Sequence, residues 1–383
     1  MKIVHTSDWH IGKLLCDYSL LEDQAWFLDW FLEQIQKIRP DAVVICGDIY
    51  DRSVPSAEAV ALLDQALNRL AKDLSIPVIL TAGNHDSGQR LSFGSAFMES
   101  QGLYIGGMVK NPVQKITLTD AFGPVDFYLL PWFDQYTVRP LFCDERPQSA
   151  GEAFRLLRDS IGEQYDPCRR SVLLAHGFFA GASSRLEQDG KSVGGGDLIG
   201  LERMENMNYI ALGHIHRAQN AGLPQAWYSG SPLKYSVDEQ NQKKEFLVVD
   251  IPQSGPSSIE HCPVQSLRDL RCITGSFQQI MSRDFYENMN RDDYLMITLT
   301  DPEPVPDVMT RFKGVFPHVL GVQFPEFTSK LFGSEQTKNV LEQQSMEELF
   351  SQFYEQASGR EMTDLQKKTV KRLCRKLEKG EPV

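Results

Sequence analysis

The sequence predicts an α/β layered sandwich with mixed sheets, then a smaller α/β domain and a pair of C-terminal helices. Three observations carry that reading. The first 250 residues repeat a short β-branched run, a polar loop and a helix. The early strands alternate with helices and the late ones do not, which argues for mixed rather than purely parallel sheets. Composition changes near residue 265, where a second β-α-β-α-β pattern begins.

Taken in order, residues 2–6 read as a strand, and residues 21–38 as an amphipathic helix with apolar positions at 21, 25, 28, 31, 32, 35 and 38. Residues 42–46 form the next strand. Pro55 and Ser56 then open a helix through Leu70, with Ser56 as its cap. Strands follow at 77–80, 125–130, 172–175, 209–212, 226–228 and 246–251. Residues 252–258 (PQSGPSS) suit a linker or a hairpin loop, and the strand-like run 259–264 favours the hairpin. The second domain reads as strand 270–273, a helical stretch to Met289, strand 294–299, helix 305–316 and strand 319–324. Ser345 with Glu348, and Thr363 with Gln366, form capping boxes that open two helices. Met346, Leu349, Phe350, Phe353 and Tyr354 line one face of the first, which Gly359 ends; Leu365, Val370, Leu373 and Leu377 line the second.

The length of 383 residues suits two or three domains. Hydrophobic residues at 42% and charged residues at 23% argue against disordered, collagenous and disulfide-scaffold chains. The longest apolar runs fall far short of the roughly 20 residues of a membrane helix. The opening MKIVHTSDWH lacks the apolar core of a signal peptide, so a cytoplasmic protein is expected. The seven cysteines contain no C-x-x-C pair, which leaves reduced, buried thiols as the reading. The net charge of −12 counts against a self-sufficient DNA binder, and counts less if metal ions and a partner supply positive charge.

The chemistry concentrates in five clusters, each directly after a predicted strand: DWH (Asp8, His10), GDIYD (Asp48, Asp51), GNHD (Asn84, His85, Asp86), AHG (His176) and GHIH (His214, His216). Loops at the carboxyl ends of strands in an α/β fold line one crevice. Carboxylates, an amide and imidazoles there suit manganese, iron or zinc. In D-x-H, side chains two apart on an extended segment share a face, so Asp8 and His10 are expected to grip one ion. A single histidine of this kind is more often a satisfied core or surface residue. Five such clusters in one chain make the metal reading the stronger one.

D-x-H, G-D-x-x-D, G-N-H-D, a lone His and G-H-x-H, in this order, resemble the calcineurin-like metallophosphoesterases. HTSDWHIG (residues 5–12) and ALGHIHRAQ (residues 211–219) are similar to the SbcD family, the nuclease subunits of bacterial SbcCD complexes, and the likeness covers the whole chain. The resemblance implies a four-layer αββα sandwich over 1–264, an α/β capping domain related to DNA over 265–326 and a helical tail over 340–383. It implies one metal held by Asp8, His10, Asp48 and His216, and another held by Asp48, Asn84, His176 and His214. Two Mn2+ ions, with Mg2+ or another divalent metal as substitutes, are the implied cofactors, and this chain binds no nucleotide.

His85, beside a ligand but not assigned as one, is then free to protonate the leaving oxygen. Asp51 is expected to orient His85 and raise its pKa. Archaeal and eukaryotic relatives carry a second histidine at the position of Asp51, so the role of that histidine does not transfer. The implied activities are 3′-to-5′ exonuclease cutting of double-stranded ends and endonuclease cutting of single strands and hairpins, in DNA repair, recombination and replication. The implied partner is an SbcC-type, SMC-like ATPase docked on the C-terminal helices, in a heterotetramer containing a homodimer of this chain. The tail from Arg360 to Val383, with eight basic and four acidic residues, suits such docking as well as internal packing.

Other candidates are weaker. Residues 189–192 (DGKS) end like a phosphate-binding loop, but its first glycine would fall at Arg185. Residues 190–196 read as a glycine-rich loop over the site, with Arg185 and Lys191 as solvated charge or DNA contacts. Arg52 reads as surface, His5 as packing, and His261 and His318 as surface. The competing functions are a phosphatase or phosphodiesterase on a small or protein substrate, and a metal-free scaffold that only binds a partner. The detached helical pair counts against the first, and the intact set of ligand-type residues against the second.

Overall fold

In the computed structural model the described residues are 1–180, 198–303, 305–324, 347–348, 350–351, 354–355 and 362–378. They divide into two units, Met1–Arg271 and Cys272–Val383. The expectations placed on residues 185, 190–196, 345, 346, 349, 353 and 359 lie outside the described residues.

The first unit runs β1 (Lys2–Thr6), α1 (Leu21–Ile38), β2 (Ala42–Cys46), α2 (Ala57–Asn68), β3 (Val78–Thr81), β4 (Leu103–Gly106), β5 (Gln114–Asp120), β6 (Gly123–Leu130), α3 (Ala150–Gln164), β7 (Arg170–His176), β8 (Tyr209–Gly213), β9 (Gln219–Asn220), β10 (Ala226–Tyr228), β11 (Glu245–Asp250) and β12 (Ser258–Pro263). Two six-stranded sheets result, in the orders β12-β11-β1-β2-β3-β4 and β9-β10-β8-β7-β6-β5. Parallel strands form the body of each sheet and antiparallel strands its margins: β1 to β4 in the first, β6, β7, β8 and β10 in the second. Residues 252–258 do close a hairpin, since β11 and β12 pair antiparallel from Glu245–Pro263 to Asp250–Ser258.

The central strands read as continuous apolar runs because both of their faces are covered. Along β6, Phe127 and Leu129 point into the layer between the sheets, where they meet Val44 and Ile79 of β2 and β3 and Val172 and Leu174 of β7. Tyr128 and Leu130, one residue out of phase, point the other way onto Phe154, Leu157 and Ile161 of α3. On the outer face of the first sheet, Phe31 of α1 meets Phe246 of β11 edge-on, with ring centroids 5.4 Å apart. Helix, sheet, sheet, helix is therefore the layer order.

Ser56 caps α2 by accepting from the Ala59 amide at 3.2 Å. The α-helix ends at Asn68, and a π-helical turn carries the chain on to Asp73. Of the elements given above, β4, β5, α3 and the two-residue β9 are additional to those the sequence predicts. The stripe of α3 (Ala153, Phe154, Leu157, Ile161) and its Ser149 cap are visible in hindsight, whereas β4 has only four residues and β5 alternates half-buried with exposed.

The second unit contains β13 (Leu270–Gly275), β14 (Tyr294–Leu299), α4 (Val308–Lys313), β15 (Val319–Gln323) and α5 (Asp364–Glu378), with the three strands in one sheet in that order. Ile273, Leu295, Ile297, Phe312, Phe316 and Val319 fill its core. The expected single helix before Met289 is two short ones, Phe277–Ile280 and Arg283–Tyr286, separated at Ser282. At the start of α5 the Thr363 amide donates to Gln366 Oε1 at 2.8 Å, and the Gln366 amide donates back to Thr363 Oγ1 at 3.4 Å. That capping box is formed as the sequence spells it.

Candidate metal centre

Loops leaving the carboxyl ends of β1, β2, β3, β7 and β8 meet at one edge of the sandwich. They do not meet as extended segments. Asp8, His10, Asp48 and His214 have φ of 53°, 43°, 48° and 107°, a region L-residues seldom adopt. The same-face argument for Asp8 and His10 therefore fails, although both residues do reach the site. Ladder-like bonds between loops hold the turn instead: the Asp8 amide donates to the Gly47 carbonyl at 3.0 Å, and the His10 amide to the Asp48 carbonyl at 2.9 Å. Gly83 keeps the third loop close, since a Cβ there would stand 2.2 Å from Asp48 Oδ1.

Among the described residues three groups of candidate ligands form, each with donor atoms within 4.8 Å of one another: His10–Asp51–His85, which shares His10 with Asp8–His10–His216, and Asp48–His176–His214. Asp48 joins them: its Oδ2 lies 3.5 Å from both His10 Nε2 and His176 Nε2. Asn84 Oδ1 adds an amide oxygen, 3.1 Å from His176 Nε2 and 3.0 Å from His214 Nδ1. His10 and His216 face each other with their Nε2 atoms 3.2 Å apart. Imidazole lone pairs converging among carboxylates are the donor set of a divalent transition ion, so the residues fit a divalent metal centre.

The rings are aimed from behind. His176 donates Nδ1–H to the Cys46 carbonyl at 2.8 Å, which leaves its Nε2 toward the site. His216 Nδ1 lies 2.8 Å from Glu239 Oε1. Asp86 accepts from the amides of Ile49, Tyr50 and Gly83 at 3.0, 2.9 and 2.8 Å, tying the second loop to the third.

His85 belongs only to the group it forms with His10 and Asp51, and its ring centroid stands 4.7 Å from that of His10. Its Nδ1 donates to the backbone carbonyl of Asp51 at 2.9 Å. The expected carboxylate–imidazole pair between Asp51 and His85 is thus corrected to a carbonyl–imidazole bond. The Asp51 carboxylate is occupied by Lys13 Nζ at 2.8 Å and turned toward His10 Nδ1 at 3.6 Å.

Burial would raise the Asp48 carboxyl, but the His176, His10 and His85 charges outweigh it and hold it far below the usual carboxylate range. Burial would lower His176, yet Asp48 at contact distance pushes it up to about 9. His214 goes the other way, lowered to about 4 by burial and then by the His176 charge. For Glu239 the burial penalty is overcome by the His216 hydrogen bond and the Lys244 charge, leaving it at about 2.

Residues 1–218 match the calcineurin-like phosphoesterase family, more than half of the chain, and residues 266–358 match the family described as the type 5 capsule protein repressor C-terminal domain, SbcD_C. A Staphylococcus epidermidis protein, named as the SbcD subunit of the nuclease SbcCD, is 30% identical over 374 residues, 97% of this chain and 98% of that one. The chain belongs to the SbcD family of calcineurin-like phosphoesterases. Its fold is that of a metallophosphoesterase, and its family chemistry is phosphoester hydrolysis at a divalent metal centre. Two solved structures also align: a Thermus thermophilus protein (13% identity, 69% of this chain and 99% of that one, TM-score 0.40) and a dimetal phosphatase from Danio rerio (14%, 70% and 98%, TM-score 0.38).

All five sequence clusters reach the site. Arg52 does not, with its side chain 70% exposed. His5 packs between the sheets against Tyr209, His261 pairs with Glu245 of β11, and His318 pairs with Asp292 within the second unit. Sequence reasoning missed Glu239 and Lys244, which have no histidine or glycine company to mark them, and Lys13, which directly follows the HTSDWHIG string. It gives Asp86 no role, though the place of that residue in GNHD is signal enough.

Proposed function

We propose that the chain is a two-metal DNA phosphodiesterase, a 3′-to-5′ exonuclease on double-stranded ends and an endonuclease on single strands and hairpins. The observation that carries this reading is Asp48 Oδ2 standing midway between two histidine groups, 3.5 Å from each, with His85 just outside them. Asp8, His10, Asp48 and His216 would hold one cation; Asp48, Asn84, His176 and His214 would hold the other. When bound, two divalent ions, manganese in this proposal, supply charge neutralisation at the phosphate oxygens and lower the pKa of an attacking water.

The chain's own part is positioning and proton transfer. Water oxygen attacks phosphorus and releases its proton to solvent, the bond from phosphorus to the leaving sugar oxygen breaks, and that oxygen takes a proton. His85 is the donor: its Nδ1–H stays on the Asp51 carbonyl, so only Nε2 of the imidazolium can deliver. Asp51 acts on this step through its backbone, while its side chain braces Lys13 and His10.

The domains divide as a nuclease domain over 1–264, a DNA-related capping domain over 265–326 and a tail over 340–383. An SbcC-type ATPase docks on that tail and supplies most of the DNA contacts, consistent with a net charge of −12. The chain works in the cytoplasm as a homodimer within a heterotetramer, in DNA repair and recombination. Among the described residues, no helix is long and apolar enough to cross a membrane.

The test is cleavage of end-labelled single- and double-stranded DNA by purified protein with Mn2+, comparing wild type with Asp48→Ala and His85→Gln. A metal-dependent ladder lost in both variants supports the reading. Hydrolysis of bis-nitrophenyl phosphate without any DNA cleavage, with the ATPase partner present, would replace it with a phosphodiesterase acting on small substrates.

A further inference from the structure

The four imidazoles of the two ligand groups are not backed alike. His176 leans on a neutral carbonyl, His214 turns its Nδ1 to its fellow ligand Asn84 at 3.0 Å, and His10 Nδ1 stands 3.6 Å from Asp51 Oδ1. His216 has a carboxylate within hydrogen-bond distance, Glu239 Oε1 at 2.8 Å. Glu239 is only 6% exposed, on the short helical turn Val237–Glu239. Its second oxygen accepts from Lys244 Nζ at 2.6 Å and from the Tyr235 amide at 3.2 Å.

Lys244 closes the loop. It is equally buried and also donates to the His216 carbonyl at 2.9 Å and to Ser231 Oγ at 2.9 Å. One ammonium therefore fixes both the carboxylate behind the ring and the backbone that carries the ring. A carboxylate held this way accepts Nδ1–H and leaves the lone pair of His216 on Nε2, facing His10 Nε2. No step of the proposed hydrolysis uses Glu239.

We propose that Glu239 is a positioning residue of the metal centre: it fixes the tautomer and plane of His216 and so sets the affinity of one metal position, the Asp8–His10–His216 group, and not the other. The inference rests on the two-metal reading above.

The experiment is Mn2+ titration of the full chain, following the electron paramagnetic resonance signal of free Mn2+, for wild type, Glu239→Gln, His216→Ala and the double variant. Outer carboxylates of this kind are worth roughly 10- to 100-fold in metal affinity. Glu239→Gln is expected to weaken one of two Mn2+ equivalents by that factor and leave the other within about threefold. In the His216→Ala background it should add nothing, because its effect passes through that ring. Thermal melts of the metal-free proteins identify a variant that has lost the fold, and Glu239→Asp, which keeps the charge and shortens the reach, carries the test if Glu239→Gln does not fold. Two equivalents at wild-type affinity in Glu239→Gln, or an undiminished loss on top of His216→Ala, would overturn the inference while leaving the two-metal reading intact. Wild type that takes up no Mn2+ would overturn both.

Discussion

Gly213 and Cys46 touch across the two sheets: a Cβ on Gly213 would stand 1.7 Å from the Cys46 carbonyl oxygen. That same oxygen accepts the Nδ1–H of His176 at 2.8 Å. The glycine at the end of β8 is therefore what lets the second sheet close against β2 at the edge where the ligand groups meet. Gly213→Ala should push the sheets apart at the site. The expected cost is about 3 kcal/mol or more, since backbone cannot yield as a side chain does. Urea unfolding of the metal-free protein measures it. An unchanged midpoint would mean that the sheets separate freely here.

His85→Gln should leave Mn2+ stoichiometry at the wild-type value while slowing DNA hydrolysis roughly 10²- to 10⁴-fold, the usual worth of a general acid. Asp51→Asn should behave differently, because the carbonyl that holds His85 Nδ1 is kept and only the Lys13 and His10 contacts change. Single-turnover rates at saturating metal separate the two. Equal losses in both variants would return the Asp51 carboxylate to the proton-transfer step.

His5 sits wholly buried between the sheets, its Nδ1 sharing a hydrogen bond of 2.8 Å with Tyr209 Oη. Burial lowers its pKa to about 3. The unfolded chain takes up a proton near the ordinary histidine value and the folded chain does not until about 3. Above the ordinary value the group is pH-neutral for stability. As pH falls through the window between the two values, stability is lost, by roughly 3 kcal/mol at pH 4 from this residue. Denaturation midpoints of wild type and His5→Asn between pH 7 and pH 4 should therefore diverge at neutral pH and converge on acidification. Parallel curves would show that His5 takes its proton inside the fold.

Phe93, in the turn between two short helices after the GNHD loop, and Phe97, on the second of them, are 83% and 86% exposed. Exposed aromatics so close in sequence are the best apolar surface the first unit offers for the proposed homodimer. On α2, Leu63 and Ala66 are buried in the protomer, while Leu62 and Leu67 beside them are half-buried. Phe93→Ser with Phe97→Ser should convert a sedimenting dimer to monomer and raise rather than lower solubility. A dimer that survives both substitutions places the interface elsewhere.

The sequence by itself determined the layered α/β class, the second small domain, the α2 and α5 caps and the five clusters of chemistry. Each of these is written in a few adjacent residues: a β-branched run, a capping hydroxyl, a D-x-H or G-N-H-D string. It could not determine which residues lean on which. Asp51 and His85 sit on the loops after β2 and β3 as a carboxylate and an imidazole, yet the pair forms through a carbonyl, because Lys13 holds the carboxylate. Glu239 reaches His216 from 23 residues away, and the Asp8 carboxylate receives the His214 amide from 206 residues away. Contacts of that range are set by how two sheets pack and by the left-handed turns at Asp8, His10 and Asp48. Local propensity has no term for either, so the ligand-type residues were legible and their supports were not.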